Sequence, residues 1–270
     1  MNFTIPMLFL AIHNGHQMSE HTKEKIGISD TERMREEDPF TERFISDKEN
    51  HIIQYTSRFE YDLNRHPSKA VYQRPDDCWG LNIYPETALS DEEIKEALNQ
   101  HNMFYQQLDT TIEKFLNRHD NILIWDIHSY NHKRGGVDAP FDSDDENPEI
   151  ILGTNHYKYM GEKWKPLVDR IENKIRNIEL DYLASPPLPH NRSLSQKHLD
   201  VRQNIKFPGG YLSQYLNHKY SGRVCCIAVE FKKIWMNEWT QEIDEKALCE
   251  LKAIFDKMCM EILNCLCSDN

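Results

Sequence analysis

Two histidines, a late carboxylate and two arginines are the residues of this sequence best suited to chemistry. His128 stands in Asn121 to Tyr130, where an apolar run gives way to Asp126, His128, Ser129 and Tyr130. His13 ends a second apolar run, Met7 to Ile12, and leads into Asn14, Gly15 and His16. Neutral imidazoles bind metals, so two such runs can hold a cation between their histidines; the alternative is that His13 and His16 cap a turn. A metal held by two histidines takes a carboxylate as a further ligand, and Glu37 and Asp38 are the first candidates after His13. Asp38 has a second reading as the cap of a helix that accepts Pro39 in its first turn. Glu230 lies near the end of Arg223 to Phe231 among apolar neighbours. A buried carboxylate is costly unless paired, and the same burial lifts its pKa into the range useful for proton transfer. Arg58 and Arg65 either converge on an anionic ligand, which guanidinium forks match, or neutralise surface acids. His132, in a basic, glycine-rich stretch, is expected to face solvent.

These side chains need elements to position them. The runs at 7–12, 122–126 and 224–229 are short, bulky and without helical spacing, which predicts strands covered on both faces, as in a parallel sheet between helices. Ligands of such sheets bind beyond the carboxyl ends of the strands, where His13, His128 and Glu230 fall. Ser90-Asp-Glu-Glu93 has capping-box spacing and predicts a helix to about Asn117. A second helix is expected over Asp244 to Cys267. Residues 156–178 have helical periodicity interrupted by Pro166, and Tyr211 starts a short helix. Residues 51–55 and 150–154 read as short strands, 57–65 as extended chain, 181–184 as a short strand before Pro186 to Pro189. Met18 to Arg35 reads as an exposed connection, and 67–85 as a long loop carrying Tyr72, Trp79 and Tyr84. Gly209 and Gly210, before Tyr211, allow close backbone approach to a ligand or make a tight turn.

The 270 residues are 39% hydrophobic, enough for the single α/β domain expected over 1–270. A net charge of −12 argues against a nucleic-acid backbone or an anionic membrane as the main partner, though it leaves room for local basic clusters. Seven cysteines without a disulfide framework or a CxxC pair point to a reducing, cytoplasmic setting. Met1 to Ile12 lacks a basic start and a cleavage site and reads as the first strand. No run approaches the roughly 18 apolar residues of a membrane helix.

His13-Asn-Gly15, the Asp38 segment, Ser57-Arg-Phe-Glu-Tyr-Asp-Leu-Asn-Arg65, Asp126-Ile-His-Ser129, Phe207-Pro-Gly-Gly-Tyr211 and Ala228-Val-Glu230 occur in an order that resembles the N-formylglutamate amidohydrolases. The resemblance implies a fold similar to the zinc carboxypeptidases: three layers, with a mixed, mostly parallel sheet and helices on both faces. It also implies zinc or another divalent metal on His13, His128 and Asp38, with Glu37 in reserve. Glu230 would be the general base and acid, Arg58 and Arg65 would steady the oxyanion or a substrate carboxylate, and Asn14, Ser129, Gly209, Gly210 and Tyr211 would contact substrate. The implied reaction is hydrolysis of the amide of a small N-acyl amino acid. A carboxypeptidase-like peptidase and a non-catalytic binding protein are the alternatives. The sequence departs from the family pattern at Asn14, where Ser is common, and at Lys133-Arg134 and the acidic 138–149, and these departures bear on the substrate.

Overall fold

The protein is described by a computed structural model over residues 6–185, 192 and 196–268. Met1 to Ile5 and Pro186 to Pro189 lie outside them, and so do the side chains of Cys265 and Cys267. The three apolar runs form β1 (Met7–Ala11), β3 (Ile122–Tyr130) and β6 (Val224–Lys232), joined by the shorter β2 (His51–Ile53), β4 (Ile150–Gly153) and β5 (Val201–Gln203). They make one six-stranded sheet in the order β2-β1-β3-β6-β4-β5. Every pairing is parallel except β4 against β6.

Alternation along the strands divides the core in two. Phe9, Trp125, Ile127, Ile227 and Val229 share one cluster with α3 (Glu42–Ile45), α5 (Lys165–Arg176) and α7 (Glu245–Ser268). Leu8, Leu10, Ile124 and Cys226 pack on the other side with α4 (Asp91–Leu116) and α6 (Tyr211–Lys219). Successive strand side chains point to opposite faces, so a sheet covered twice needs the apolar runs seen in the sequence. α4 starts as expected: the Ser90 side chain and Glu93 form a reciprocal capping box.

Several segments differ from their sequence reading. Residues 18–35 hold two short helices, α1 (Glu20–Lys25) and α2 (Asp30–Glu36), each with a serine N-cap, and Arg33 of α2 is buried. Residues 57–65 form turns outside the sheet, anchored through polar side chains. Pro166 opens α5 in its first turn, after two short 3-10 turns, and does not kink a longer helix. Tyr182–Ala184 is a 3-10 turn and not a strand.

Candidate active site

The parallel register brings the chemistry together. β1, β3 and β6 run in one direction, so Ala11, His128 and Glu230 approach the same edge of the sheet. His128 pairs directly with Glu230 across the ladder, and Asp126 pairs with Ala228 two residues earlier. Asp126, His128 and Glu230 have the parity of Ile124 and Cys226, whose side chains belong to the cluster under α4 and α6. Beyond β1 the chain turns at Gly15, where a Cβ would meet Tyr55 and Thr56 backbone atoms at 2.1 to 2.6 Å. Only glycine allows that approach. It leaves the buried His13 imidazole facing His128, ring centroids 4.9 Å apart.

Asp38 completes the group. Its Oδ2 lies 3.0 Å from His128 Nδ1 and 3.4 Å from His13 Nδ1. All three residues are buried, and their ligand atoms fall within 4.8 Å of one another. Two imidazole nitrogens and one carboxylate oxygen are a donor set that suits a catalytic zinc-like ion, which takes three protein ligands and leaves a position open. The far nitrogen of His13 is hydrogen-bonded to Asp62 Oδ1 at 2.7 Å, while Asp126 Oδ1 lies 3.0 Å from His128 Nε2 as an ion-pair neighbour without hydrogen-bond geometry. Such partners orient metal-binding histidines and make them better donors. Burial works against charge here, yet partners win. Burial pushes the Asp38 carboxyl up, but hydrogen bonds with His128 and His13 hold it below its ordinary range. Burial likewise opposes charge on His128, and Asp126 and Asp38 raise its pKa well above the usual value.

Glu230 is the exception. Burial pushes its pKa up to about 7; the charge of His128 opposes this, while Asp38 and Asp126 add to it. A carboxyl poised there can accept and return a proton near neutral pH. Glu230, His128 and Asp38 line one cavity of about 210 Å³. Arg58 and Arg65 also reach it. Arg58 Nη2 donates to Asp62 Oδ2 at 2.7 Å, and its guanidinium lies under the Trp79 ring at 4.8 Å. Arg65 is more open, with Nε 3.8 Å from the same Asp62 oxygen.

The other candidates are dispersed. Glu37 points away from the histidine pair, to His16 Nδ1 at 2.5 Å and to the Ser57 hydroxyl. That separates it from Asp38, whose side chain faces the imidazoles and caps no helix. Asn14 does cap one: its Oδ1 accepts the Glu42 N–H of α3 at 3.2 Å, away from the cavity. Ser129 lines the cavity, and its buried hydroxyl has no hydrogen-bond partner among the described residues. Gly209, Gly210 and Tyr211 do not line it; Phe207 does. A Cβ on Gly210 would meet the Asn64 side chain within 2.4 Å, so this glycine makes room for Asn64, which itself lines the cavity. Tyr211 packs on Tyr105 and His66. His132 is buried, stacked on Phe141 and 3.6 Å from Glu238, and does not face solvent.

Asp62 and Asn64 lie in the Ser57 to Arg65 segment that carries the resemblance but were given no role by sequence reasoning, and Lys233 was not singled out. Asp62 offers a signal in hindsight, an acid four residues after one arginine and three before another. Lys233, three residues after Glu230 and just past the end of β6, is buried, with Nζ donating to Arg35 O, Glu37 O and Asn131 Oδ1 at 2.7 to 3.0 Å. It ties the Asp38 segment to the ends of β3 and β6.

With this geometry in view, comparison with known proteins is informative. A solved N-formylglutamate amidohydrolase from Ralstonia eutropha superposes with a TM-score of 0.72 at 15% identity, over 98% of this chain and 95% of that one. A gene product of Agrobacterium tumefaciens matches with a TM-score of 0.60 at 16% identity, over 96% and 92%. These likenesses establish the fold, a mostly parallel α/β sheet with helices on both faces. No curated protein matches the chain. The model of the N-formylglutamate amidohydrolase family matches residues 5–235, from β1 through the cavity-lining Lys233, and the chain therefore belongs to that family of hydrolases.

Proposed function

We propose that this protein is a metal-dependent amidohydrolase that cleaves the amide of a small N-acyl amino acid. One observation carries the reading: His13, Asp38 and His128 converge on a common point, and Glu230 is the ladder neighbour of His128 on the same cavity wall. A divalent cation such as zinc, held by those three side chains, supplies a Lewis acid that acidifies water and polarises a carbonyl. Glu230 accepts the proton of the attacking water and returns it to the departing nitrogen, a role suited to a carboxyl that titrates near 7. Arg58, fixed by Asp62, offers positive charge to the oxyanion. Arg65, beside Asn64, receives the substrate carboxylate. The cavity, about 210 Å³, is smaller than the roughly 300–1,000 Å³ pockets that hold drug-sized ligands, which favours a single amino-acid derivative over a longer peptide.

The test is metal analysis of the purified protein, followed by N-formyl, N-acetyl and short-peptide substrates with and without chelator. The expected result is stoichiometric metal and chelator-sensitive release of a free amino acid. Ligand binding indifferent to chelator and to Glu230→Gln, with no turnover on the panel, would mark a binding protein instead.

A further inference from the structure

We propose that Lys233 is the positioning residue of the candidate metal centre: its ammonium fixes the backbone that presents Asp38, and so sets how tightly a cation is held. The inference rests on the metal reading above and adds to it a residue that acts through another side chain. Asp38 needs such support because it lies between the end of α2 at Glu36 and the start of α3 at Glu42, in no helix or strand. Pro39 follows it, and Phe40 has a backbone φ of +69°. The carboxylate therefore stands on an irregular turn. A helix end leaves its last carbonyls without partners, and here those carbonyls are where the turn is held.

Lys233 takes two of them. Nζ donates to Arg35 O at 2.7 Å and to Glu37 O at 2.8 Å, and its third N–H reaches Asn131 Oδ1 at 3.0 Å. Arg58 Nη1 takes the carbonyl between, Glu36 O, at 3.2 Å. The peptide group that carries Asp38 is thereby held at both ends: its carbonyl, Glu37 O, by Lys233, and its N–H by His13 O at 3.0 Å. Beyond it the Thr41 hydroxyl donates to Asp38 O at 2.7 Å.

The anchors belong to the strands of the site. Lys233 stands three residues after Glu230, and Asn131 three after His128. The ladder that pairs His128 with Glu230 continues past them, with Lys233 N donating to Tyr130 O at 3.0 Å. A single ammonium thus relates the Asp38 turn to both strands that deliver the second imidazole and the base. Its three acceptors are amide oxygens and none is a carboxylate. Burial pulls the Lys233 pKa down, and the charges of Asp38, Glu36 and Glu238 oppose this. With every N–H spent, the ammonium has no donor left for a substrate. Removing it orphans two carbonyls at a buried position, and a peptide that turns to satisfy them carries Asp38 with it. Metal–ligand distances tolerate only about 0.2 Å.

The experiment titrates metal-free protein with cobalt(II), whose visible absorption reports the number and geometry of its ligands, for wild type, Lys233→Met, Asn131→Ala and Asp38→Asn. Methionine keeps the length and apolar stem of lysine and loses its donors. Lys233→Met should bind cobalt about 10- to 100-fold more weakly, and its saturated spectrum should move from that of wild type to that of Asp38→Asn. A general loss of packing lowers the urea stability of the metal-free protein but leaves the loaded site's spectrum unchanged. A folded Lys233→Met with wild-type affinity or a wild-type spectrum would therefore overturn the inference. If Lys233→Met does not fold, Asn131→Ala decides: it cuts one of the three bonds and should weaken cobalt by about fivefold, and wild-type affinity there overturns the inference. Wild type that binds no cobalt refutes the metal reading and this inference together. Cobalt bound in the expected order by a protein that hydrolyses no N-acyl substrate supports the inference and defeats the hydrolase reading.

Discussion

Glu230→Gln separates catalysis from stability because it keeps the side chain's shape and removes its proton chemistry. In metal-free protein the carboxyl titrates near 7 against an ordinary 4.5. At ~1.36 kcal/mol for each pH unit, the rise from 4.5 to about 7 corresponds to about 3 kcal/mol. That is an upper bound, since Glu230 is only half-buried and cavity water screens its charge. Below pH 4.5 both folded and unfolded chains keep the proton, and Glu230 costs nothing. Between 4.5 and 7 the unfolded chain releases a proton that the folded chain retains, so stability falls as pH rises, and above 7 the full penalty applies. The neutral glutamine carries no such penalty. Chelator-treated Glu230→Gln should therefore match wild type near pH 4 and exceed it at pH 8 by up to about 3 kcal/mol in urea unfolding. Metal stoichiometry should be unchanged, while hydrolysis falls by about 10² to 10⁴, or roughly 3–5 kcal/mol in the barrier. A variant no more stable than wild type at pH 8, or one that keeps more than about a tenth of its activity, would refute the reasoning.

Three further predictions test the surroundings. Alanine at His13, Asp38 or His128 should drop bound metal well below one equivalent, read by elemental analysis of protein dialysed against trace zinc. Asp62→Asn should weaken metal binding by about 10- to 100-fold in chelator competition, because His13 loses its carboxylate partner. The same change leaves Arg58 without its partner and should cost about 3–5 kcal/mol in denaturant unfolding. Phe44→Ala should cost about 3–5 kcal/mol in the same assay, since Phe44 is fully buried and stacks on Phe231 at 4.4 Å.

The sheet was legible in the sequence because its strands are buried on both faces. Runs such as Leu-Phe-Leu-Ala-Ile and Val-Cys-Cys-Ile-Ala-Val fit little else, and the Ser90 box marks the start of α4. The polar segments were harder to read. Residues 57–65 carry no local signal for the turns they make, because Asp62 is fixed by His13, Arg58 and Tyr72, which lie up to 49 positions away. Asp38 had two local readings, and only the packing of its segment over the ends of β1 and β3 turns its carboxylate toward the histidines. Gly209 and Gly210 signal close approach, yet sequence cannot say to what, and the approach at Gly210 is to Asn64. Asn14 sits beside His13 but faces the start of α3, since neighbours at the end of a strand diverge.

β6, the last of the described strands, lies in the middle of the sheet, between β3 and β4. His13, Asp38 and His128 all precede β6 in the chain, whereas Glu230, the proposed base, arrives with β6 and takes the ladder place beside His128. On the proposed mechanism, hydrolysis requires residues 224–232 in register, and a slip of one residue would turn Glu230 to the opposite face. On the same mechanism, the onset of turnover reports that residues 224–232 have closed the gap between β3 and β4.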